Sequence, residues 1–477
     1  MPVNDQHPEY HCALPRYNLI RAIINNDAKC YLRSPDKEDM CRNEQYKEDA
    51  VLVNFTSFTL EALVGLVFSK KLKLSLPPEL DYLFEDATGS GINIWQFSQS
   101  AVSELIQIGR YGLLLDYNNE NGRAYIKPYC AESIINWKTG LVNGTVQPWL
   151  IVLTETVVLD YNDIFCQETT IQYRVLVMDN GIYTQQIFDA GLEPLGDRIV
   201  PLDFEGNPFT YIPFVFLGSD DNDAKVDKEP MYDMAILNRS HYQDSADYQE
   251  SIWLNGQPYL VINVGESSAE EFAAANPSGV AYGSRRGLVL PNGGSASLLQ
   301  ANPNQLVAQA MNDKLDQAQK IGARMIEKAE GSRETAEAAR LRASSQTSSL
   351  STISYNASWG IEKALKILCQ FMGANETSVY YKLNDQFYEE VADGNVMNSY
   401  TAWFDRGIVS ADEIRDYGRR VGVINKDSLD TDIELNVDLT TDPLADAYID
   451  NGNNTERRTI TAPASPDENG GYTGQGY

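Results

Sequence analysis

The chain has three histidines, and two of them lie close to a cysteine near the N-terminus. His7, His11 and Cys12 carry side chains that can bind zinc, whereas His241 lies beside Tyr242 with no other histidine near it. Structural zinc sites use four ligands in paired spacings such as CxxC, and this small cluster near a chain terminus lacks them. A single histidine beside a tyrosine is more typical of a hydrogen-bonded contact than of a catalyst. The sequence therefore predicts no metal site and no catalytic histidine.

Motifs for nucleotide binding or nucleophilic catalysis are not found in the sequence. It has no Walker A loop, no GxGxxG loop and no GxSxG elbow. The 67 acidic residues include no pair that stands out as a catalytic acid and base. The acidic segment Ser219–Asp227 lacks the ligand spacing and the glycine of a calcium loop, so it is interpreted as a solvated linker. We expect no enzymatic activity and no cofactor, and a carboxylate hydrolase with a β-rich domain is the alternative.

The balance of charges restricts the classes of partner. The sequence has 38 Lys and Arg against 67 Asp and Glu, which gives a formal net charge of −29 over 477 residues. A protein that wraps duplex DNA needs a basic surface, so the negative charge argues against this mode of DNA binding. It does not exclude a protein through which a polyanion passes without being bound. The six cysteines form no CxxC pair, which favours reduced thiols in the cytosol. Neither a signal peptide nor a membrane span is expected.

The first part of the chain has helical periodicity. In Asp49–Phe68 and Ile94–Ile108, apolar residues recur every three or four positions, which predicts two amphipathic helices. Gly109 and Gly112 follow the second helix and precede the apolar run Leu113–Tyr117. This order predicts a helix end and then a short buried strand.

Between Ala124 and Phe216 the pattern changes to that of strands. Runs rich in Val, Ile, Tyr and Phe alternate with turn signals, among them Asp179-Asn180-Gly181. Asn-Gly between two such runs is typical of a tight hairpin, because both residues tolerate a positive φ. The sequence predicts an antiparallel β-rich subdomain here, and hence an α+β chain.

Three long helices are predicted further along, at about Pro230–Leu254, Pro303–Glu330 and Glu334–Met372. The first is rich in Tyr, Asn, His and Asp where a core helix would carry leucine. The second and third have apolar residues at helical spacing. These stripes comprise Val307, Met311, Leu315, Ala318, Gly322, Met325 and Ala329, and then Leu350, Ile353, Ala357, Ile361, Leu365, Leu368 and Met372.

Shorter elements are predicted towards the end of the chain. Two short helices are expected at Val396–Arg406 and Ala411–Val421. The tail 451–477 is rich in Gly, Asn and Pro, and this composition predicts disorder.

The order of these elements resembles that of the portal proteins of tailed bacteriophages. A helical and β-rich block leads to a long helix, a compact insert, a second long helix, a break and a third, longer helix. Several segments also resemble one portal subfamily, and the resemblance covers roughly residues 20–425. The segments are VLVNFTSFTLEALVGLVF at 51–68, GRYGLLLDY at 109–117, AESIINW at 131–137 and LNxxHYxxxADY at 237–248.

The resemblance implies a portal fold of the α+β class and a ring that is usually dodecameric. The wing, stem and crown would be mainly helical, the wing would contain a β-rich subdomain, and the clip would be small and of mixed α/β structure. The expected divisions are the wing at 1–228, stem helices at 229–254 and 302–330, the clip at 255–301, the tunnel loop and long helix at 331–372, the inner wing and crown at 373–450 and the tail at 451–477.

The unusual polarity of the first long helix fits this expectation. A stem helix in a ring would pack on copies of itself and face a wet channel, and Tyr and Asn suit such contacts. An ordinary surface helix of a monomer is the alternative. The candidates for the stem interface are Asn238, His241, Tyr242 and Tyr248.

The clip would bind partner proteins. Its apolar runs PYLVIN and GLVLP flank the helix-like stretch Ser267–Ala275, and two such short strands are too few for an independent sheet. We therefore predict that they pair between subunits. The candidates for docking are Tyr259, Val261, Leu288 and Leu290.

Arginines flank the predicted tunnel loop. Arg333, Arg340 and Arg342 are candidates for side chains that face the DNA. Salt bridges with Glu334 and Glu337 on the same helix are the alternative interpretation.

The resemblance also implies a function. The ring would lie at one capsid vertex of the virion, and double-stranded DNA would pass through it during packaging and ejection. The implied partners are other copies of the chain, the major capsid protein, the head–tail adaptor and, transiently, the terminase, with no membrane involved. Synthesis would take place in the host cytoplasm.

Overall fold

The computed structural model describes the chain in segments and divides it into two compact units, Met1–Phe387 and Tyr388–Tyr477. The described residues are 2–36, 39–142, 144–159, 168–256, 259–265, 268–277, 279–280, 289–299, 305–326, 349–385, 387 and 394–420.

Helices and strands are both abundant, so the chain is α+β, as the sequence predicts. Within the described ranges, no helix combines the length and the apolar content that are needed to cross a membrane. The helices are α1 (Pro8–Ile24), α2 (Met40–Asp49), α3 (Phe55–Val67), α4 (Ile94–Ile108), α5 (Tyr232–Asn255), α6 (Ala269–Ala275), α7 (Gln305–Ile326), α8 (Ser349–Met372), α9 (Gly394–Asp405) and α10 (Ala411–Arg420). The strands are β1 (Lys73–Ser75), β2 (Arg110–Asn118), β3 (Arg123–Cys130), β4 (Ile134–Val142), β5 (Thr145–Val158), β6 (Thr169–Asp179), β7 (Ile182–Phe188), β8 (Pro194–Ile199), β9 (Phe214–Gly218), β10 (Tyr259–Asn263), β11 (Ser295–Leu299) and β12 (Tyr380–Lys382).

Local signals determine both ends of α4. At its start, the Asn93 side chain accepts a hydrogen bond from the Gln96 N–H at 2.9 Å, and the Gln96 side chain accepts one from the Asn93 N–H. At its end, Gly109 has a φ of 79°, a left-handed conformation that glycine adopts without strain. The helix has the predicted bounds, and β2 follows it, as the sequence also predicts.

Helix α3 begins later than its periodicity predicts, at Phe55 instead of Asp49. The reason is Asn54, whose Oδ1 accepts from the Ser57 N–H at 2.9 Å and caps the helix. The Nδ2 of the same side chain donates to the Ile23 carbonyl at 2.7 Å. One residue therefore starts α3 and attaches it to the end of α1.

The β-rich region forms two antiparallel sheets. One has three strands in the order β3-β2-β9, and the other has five in the order β4-β5-β6-β7-β8. Strands β6 and β7 are joined by Asn180 and Gly181, whose φ values are 52° and 81°, and Asp179 pairs with Ile182. The predicted two-residue hairpin is thus confirmed.

A buried charge network connects the two sheets. Oε1 of Glu155 on β5 lies 2.7 Å from Nε of Arg174 on β6 and 2.8 Å from Nζ of Lys127 on β3. The hydroxyl of Tyr129, also on β3, donates to the same carboxylate. Burial raises the pKa of Glu155, but the hydrogen bonds and charges of Arg174 and Lys127 outweigh this effect and hold the pKa at about 2.

Helix α8 packs against β9, α4 and β12 within the first unit. Gly360 allows the close approach to β9, because a Cβ at this position would overlap the Leu217 side chain. The third predicted helix is confirmed from Ser349 onward, and residues 327–348 lie outside the described residues. Its predicted stripe is buried at Leu350, Ile353, Ala357, Ile361, Leu365 and Leu368.

The second unit contains α9 and α10, which lie within two residues of their predicted bounds. Tyr400 of α9 stacks on Tyr417 of α10 with ring centroids 4.6 Å apart. The predicted tail 451–477 lies outside the described residues.

Candidate functional site

Helices α5 and α7 form an antiparallel hairpin. Gly322 of α7 faces Met234 of α5, since a Cβ at position 322 would lie 3.8 Å from the Met234 Cε. Further along, Lys314 of α7 pairs with Asp244 of α5. Because residue numbers fall along α7 as they rise along α5, the helices run in opposite directions. Residues 256–304 therefore connect them at the far end, which we call the tip of the hairpin.

The apolar stripe predicted on α7 faces inward over the described side chains. Ala318 is buried, and Val307, Met311, Leu315 and Gly322 are half-buried. The opposite side of the helix is polar and exposed, and it carries Gln309, Asn312, Asp313 and Asp316. The helix is amphipathic, as its spacing predicts.

The polar residues of α5 bind the N-terminal helices of the same chain. Asn238 is fully buried, and its Oδ1 accepts hydrogen bonds from the Thr56 N–H at 3.1 Å and the Thr56 hydroxyl at 2.9 Å. Its Nδ2 donates to the Val53 carbonyl at 3.0 Å. A buried amide with its hydrogen bonds made attaches α5 to the start of α3.

The same arrangement recurs further along α5. The Tyr46 hydroxyl donates to the Asp247 carboxylate at 2.6 Å, and Nε of Arg42 donates to Glu250 at 3.0 Å. The polarity of this side of α5, interpreted from the sequence as that of a ring interface and a wet channel, is therefore used within the chain. Sequence reasoning missed this because the bonded residues are 182 to 208 positions apart.

His241 has the surroundings of a core residue. Its side chain is 1% exposed, and its ring meets Phe55 edge to face with centroids 5.8 Å apart. Burial lowers the pKa of His241, and the nearby Lys314 lowers it further, while Asp244 acts in the opposite direction. The imidazole is therefore neutral at pH 7 and packs between α5 and α3.

The four candidates for the stem interface are placed differently by the structure. Asn238, His241 and Tyr242 are at most 3% exposed within the single chain. Their side chains therefore leave no surface for a neighbouring copy, and the structure assigns them to the core. Tyr248 is half-buried and keeps part of its ring accessible.

Large apolar side chains are exposed where the hairpin approaches its tip. Ile252, Trp253 and Leu254 end α5 with exposed fractions of 49%, 73% and 40%, and Leu306 at the start of α7 is 78% exposed. Exposed apolar groups that are adjacent in a fold typically mark an interaction surface. Within the described residues, each of the four keeps 40% or more of its surface accessible.

The predicted clip contains one sheet and one short helix. Strands β10 and β11 pair with each other, and Tyr259 lies opposite Leu299. Strand β10 therefore pairs within the chain and not, as predicted, between subunits. The second strand was predicted at GLVLP (287–291) but lies at Ser295–Leu299. The turn around Gly293, with a φ of 74°, brings this later segment opposite β10.

The candidates for docking lie partly on this small sheet. Tyr259 and Val261 are on one face of β10 and are 66% and 47% exposed. Leu290 is half-buried and precedes β11. The remaining predicted site residues, Leu288, Arg333, Arg340 and Arg342, lie outside the described residues, as do Glu334 and Glu337.

The acidic segment after β9 brings three carboxylates together. Oxygen atoms of Asp221, Asp223 and Asp227 lie within 4.8 Å of one another. Asp227 accepts hydrogen bonds from the backbone N–H groups of Asp220 at 2.8 Å and Asp221 at 3.3 Å. Burial raises the pKa of Asp227 to about 6. These backbone bonds account for the compact turn.

Two further carboxylates meet at Arg21. Its Nη2 lies 2.5 Å from Oε2 of Glu104, and its Nε lies 2.7 Å from Oε1 of Glu132. Charge-assisted hydrogen bonds of this kind hold both carboxylates in place against the guanidinium. This pair therefore joins α1 to α4 and to the turn before β4, and it does not favour the alternative of a carboxylate hydrolase.

A cleft of about 1200 Å³ lies between residues 2–9, the β4–β5 hairpin and α8. On its N-terminal side, His7 stacks on Trp137 with ring centroids 3.9 Å apart. The His7 Nδ1 accepts the Glu9 N–H at 3.3 Å and so caps α1. The neighbouring His11 and Cys12 are exposed on α1.

Lysines and tryptophans line and border the same cleft. The Lys138 Nζ lies 5.5 Å from the ring centre of Trp149, and the Lys363 Nζ lies 5.3 Å from that of Trp359. Both distances are typical of cation–π contacts. Sequence reasoning missed this cleft because its lining comes from residues scattered between positions 2 and 363, which share no local spacing.

Comparison with protein-family models gives one match. The family described as "Domain of unknown function (DUF4055)" matches residues 230–372, which run from the start of α5 to the end of α8. No curated protein matches the sequence.

Several solved structures are similar to the chain. A chain of the virion of a native gene transfer agent particle has 13% identity and a TM-score of 0.40, and the match covers 78% of this chain and 92% of that one. A chain from the neck of the native particle has 13% identity and a TM-score of 0.36, with coverage of 76% and 89%.

A third similar structure is an HK97 family phage portal protein from Corynebacterium diphtheriae. It has 10% identity and a TM-score of 0.29, and the match covers 71% of this chain and 96% of that one. Likenesses at these scores carry no argument about function, which therefore has to rest on the chain's own residues. A portal protein, the family whose order of motifs the sequence resembles, is thus among the similar structures.

Proposed function

We propose that the chain is a portal protein of a tailed bacteriophage, a ring of copies at one capsid vertex. The observation that carries the proposal is the α5–α7 hairpin, whose tip bears the small β10–β11 sheet beside exposed Trp253 and Leu306. Within the described residues these apolar groups are largely accessible to water, and copies arranged around an axis would cover them. The order of motifs along the sequence supports the same proposal.

The parts of the ring follow from the predicted divisions. The wing would be 1–228, the stem helices would be 229–254 and 302–330, and the clip would be 255–301. The side of α5 that binds α2 and α3 is closed to neighbours, so contacts between stems use the remaining faces, with Tyr248 as a candidate. The divisions beyond the second stem helix are the tunnel loop and long helix at 331–372, the inner wing and crown at 373–450 and the tail at 451–477.

The charge of the chain suits a channel for double-stranded DNA. A net charge of −29 per copy keeps the duplex from adhering to the wall, so that it can slide in both directions. The exposed side of α7 is polar and acidic at Asp313 and Asp316. Arg333, Arg340 and Arg342 remain candidates for centring the DNA, with ion pairs to Glu334 and Glu337 as the alternative.

The tip would be the docking site for other proteins. Tyr259 and Val261 present exposed apolar groups there, and Leu288 and Leu290 are the further candidates. The proposed partners are the head–tail adaptor and, transiently, the terminase, with the major capsid protein at the wing. The ring would act without enzymatic activity of its own and would reside in the virion.

Negative-stain electron microscopy of the full-length chain tests this function. We expect rings with a central hole wide enough for a DNA duplex, and counting subunits in class averages gives the ring number, expected to be twelve from the resemblance. Sedimentation of the same sample over a range of concentrations identifies the free subunit. A compact monomer at every concentration would contradict the proposal and favour the hydrolase alternative.

A further inference from the structure

We propose that the cleft beside β4 binds a segment around β8 from a second copy of the chain, so that neighbouring copies join head to tail. We call residues 193–202 the β8 ribbon. The inference rests on the proposed ring and identifies one contact that would build it.

The cleft supplies positive charge beside aromatic rings. Within the described part of the chain, neither Lys138 nor Lys363 has a carboxylate partner, and each lies over a tryptophan ring instead. Two carboxylates of the lining already have partners, and the first of them, Glu9, accepts the Val226 N–H at 3.1 Å. Asp223, which also lines the cleft, lies 3.6 Å from its neighbour Lys225. Two cations therefore remain available to an acidic partner.

The β8 ribbon has the complementary chemistry. All of β8 is exposed, and its apolar residues Leu195 and Ile199 are 53% and 52% exposed. Glu193 and Asp197 have no cation partner among the described residues, whereas Arg198 is neutralised by Asp179 at 2.9 Å. The ribbon is thus an acidic segment with apolar side chains, which suits a cleft that offers lysines and indole rings.

Lys138 of the cleft and the ribbon lie at opposite edges of one sheet. Strand order places β4 at one edge and β8 at the other, with three strands between them. At the usual spacing of strands, the two edges are about 19 Å apart. Because β8 is held in place by its pairing with β7, the ribbon cannot reach Lys138 of its own chain. A contact that joins different surfaces of identical subunits is heterologous, and such contacts form a ring when the rotation between neighbouring subunits closes and an open filament when it does not.

Charge reversal tests the contact because it can be made on either side. The cleft variant is Lys138→Glu with Lys363→Glu, and the ribbon variant is Glu193→Lys with Asp197→Lys. Each variant alone places like charges together, so we expect each to sediment as a monomer at concentrations where the unaltered chain associates. In an equimolar mixture every contact again joins opposite charges, and we expect association to return.

A matched control reverses two exposed lysines away from the cleft, Lys29→Glu with Lys71→Glu. This variant should associate like the unaltered chain. Far-UV circular dichroism of all variants verifies that they are folded. Raising the salt concentration should weaken the association of the mixture, because exposed ion pairs are screened.

The outcomes separate this inference from the proposed function. Rings that persist in both variants would overturn the contact and leave the portal function standing. Association that the variants lose and the mixture restores, without rings in micrographs, would support the contact and contradict the portal function. If neither the unaltered chain nor the mixture associates at any concentration, the contact is overturned.

Discussion

Glu155 is the residue at which the two sheets of the first unit depend most directly on charge. It is 7% exposed and binds Arg174 and Lys127, which come from different sheets. Removing one member of a buried ion pair leaves an uncompensated charge, which costs more than the pair itself contributes.

We predict that Glu155→Gln lowers the free energy of unfolding by about 3 kcal/mol at pH 7. Urea denaturation followed by tryptophan fluorescence measures this change. Glu120→Gln, at an exposed turn position, is the matched control and should change the free energy by less than about 0.5 kcal/mol. Equal stability of the two variants would show that the network contributes little.

The same substitution should alter the dependence of stability on pH. The folded pKa of Glu155 is about 2, below the unfolded value of about 4.3. Its contribution is therefore complete above the unfolded pKa and is lost as the pH falls towards 2. Between pH 6 and pH 3, the unaltered chain should lose more stability than Glu155→Gln does, as measured by urea titrations at each pH.

Individual polar residues were the hardest features to interpret from the sequence. Asn238 and His241 were expected at a subunit interface, but both lie in the core. Polar residue types are typical of interfaces and of buried hydrogen-bond networks alike, and the pattern along one helix does not distinguish them. Asn238 lies in the core because it hydrogen-bonds Thr56 and Val53, and only the tertiary structure brings these partners close to it.

At the scale of elements, the docking of α5 on α3 depends on one buried amide. Asn238→Leu keeps a similar volume but leaves the Thr56 N–H and the Val53 carbonyl buried without partners. We predict a loss of about 1–3 kcal/mol in the free energy of unfolding, measured by urea denaturation. Asn312→Leu on the exposed side of α7 is the control, and a loss of equal size there would contradict the assigned role.

Elements were predictable where their ends carry local signals. The bounds of α4 follow from Asn93 and Gly109, and the β6–β7 hairpin follows from Asn180 and Gly181. The second strand of the tip was misplaced because an apolar run was read as a strand. The strand that forms instead, β11, is the segment that lies in register with β10. The amino-acid composition of β11 alone does not predict this pairing.

At the scale of the whole molecule, the hairpin divides the first unit into a body and a tip. Among the described elements of the tip, β10 and β11 pair with each other, and neither pairs with a strand of the body. We therefore expect residues 257–304 to contribute little to the stability of the body, and a flexible Gly-Ser linker between adjacent helices about 8–10 Å apart to replace them.

We predict that this replacement leaves the melting temperature of the soluble chain unchanged in circular dichroism. It removes Tyr259 and Val261 and should abolish binding of a head–tail adaptor supplied from the same virion. Loss of all soluble protein would contradict a modular tip. Glu120→Gln, the exposed substitution used above, offers a control because it leaves the tip intact.

The bonds between α5 and the N-terminal helices also bear on the order in which the chain can mature during synthesis. Tyr46 and Thr56 leave the ribosome early, yet the residues that bind them follow roughly two hundred positions later. Contacts of such sequence separation form slowly, because a long loop must close first. The first helices must therefore wait, incompletely packed, until α5 has been translated, and this interval is when a nascent copy is most exposed to chaperones and proteases.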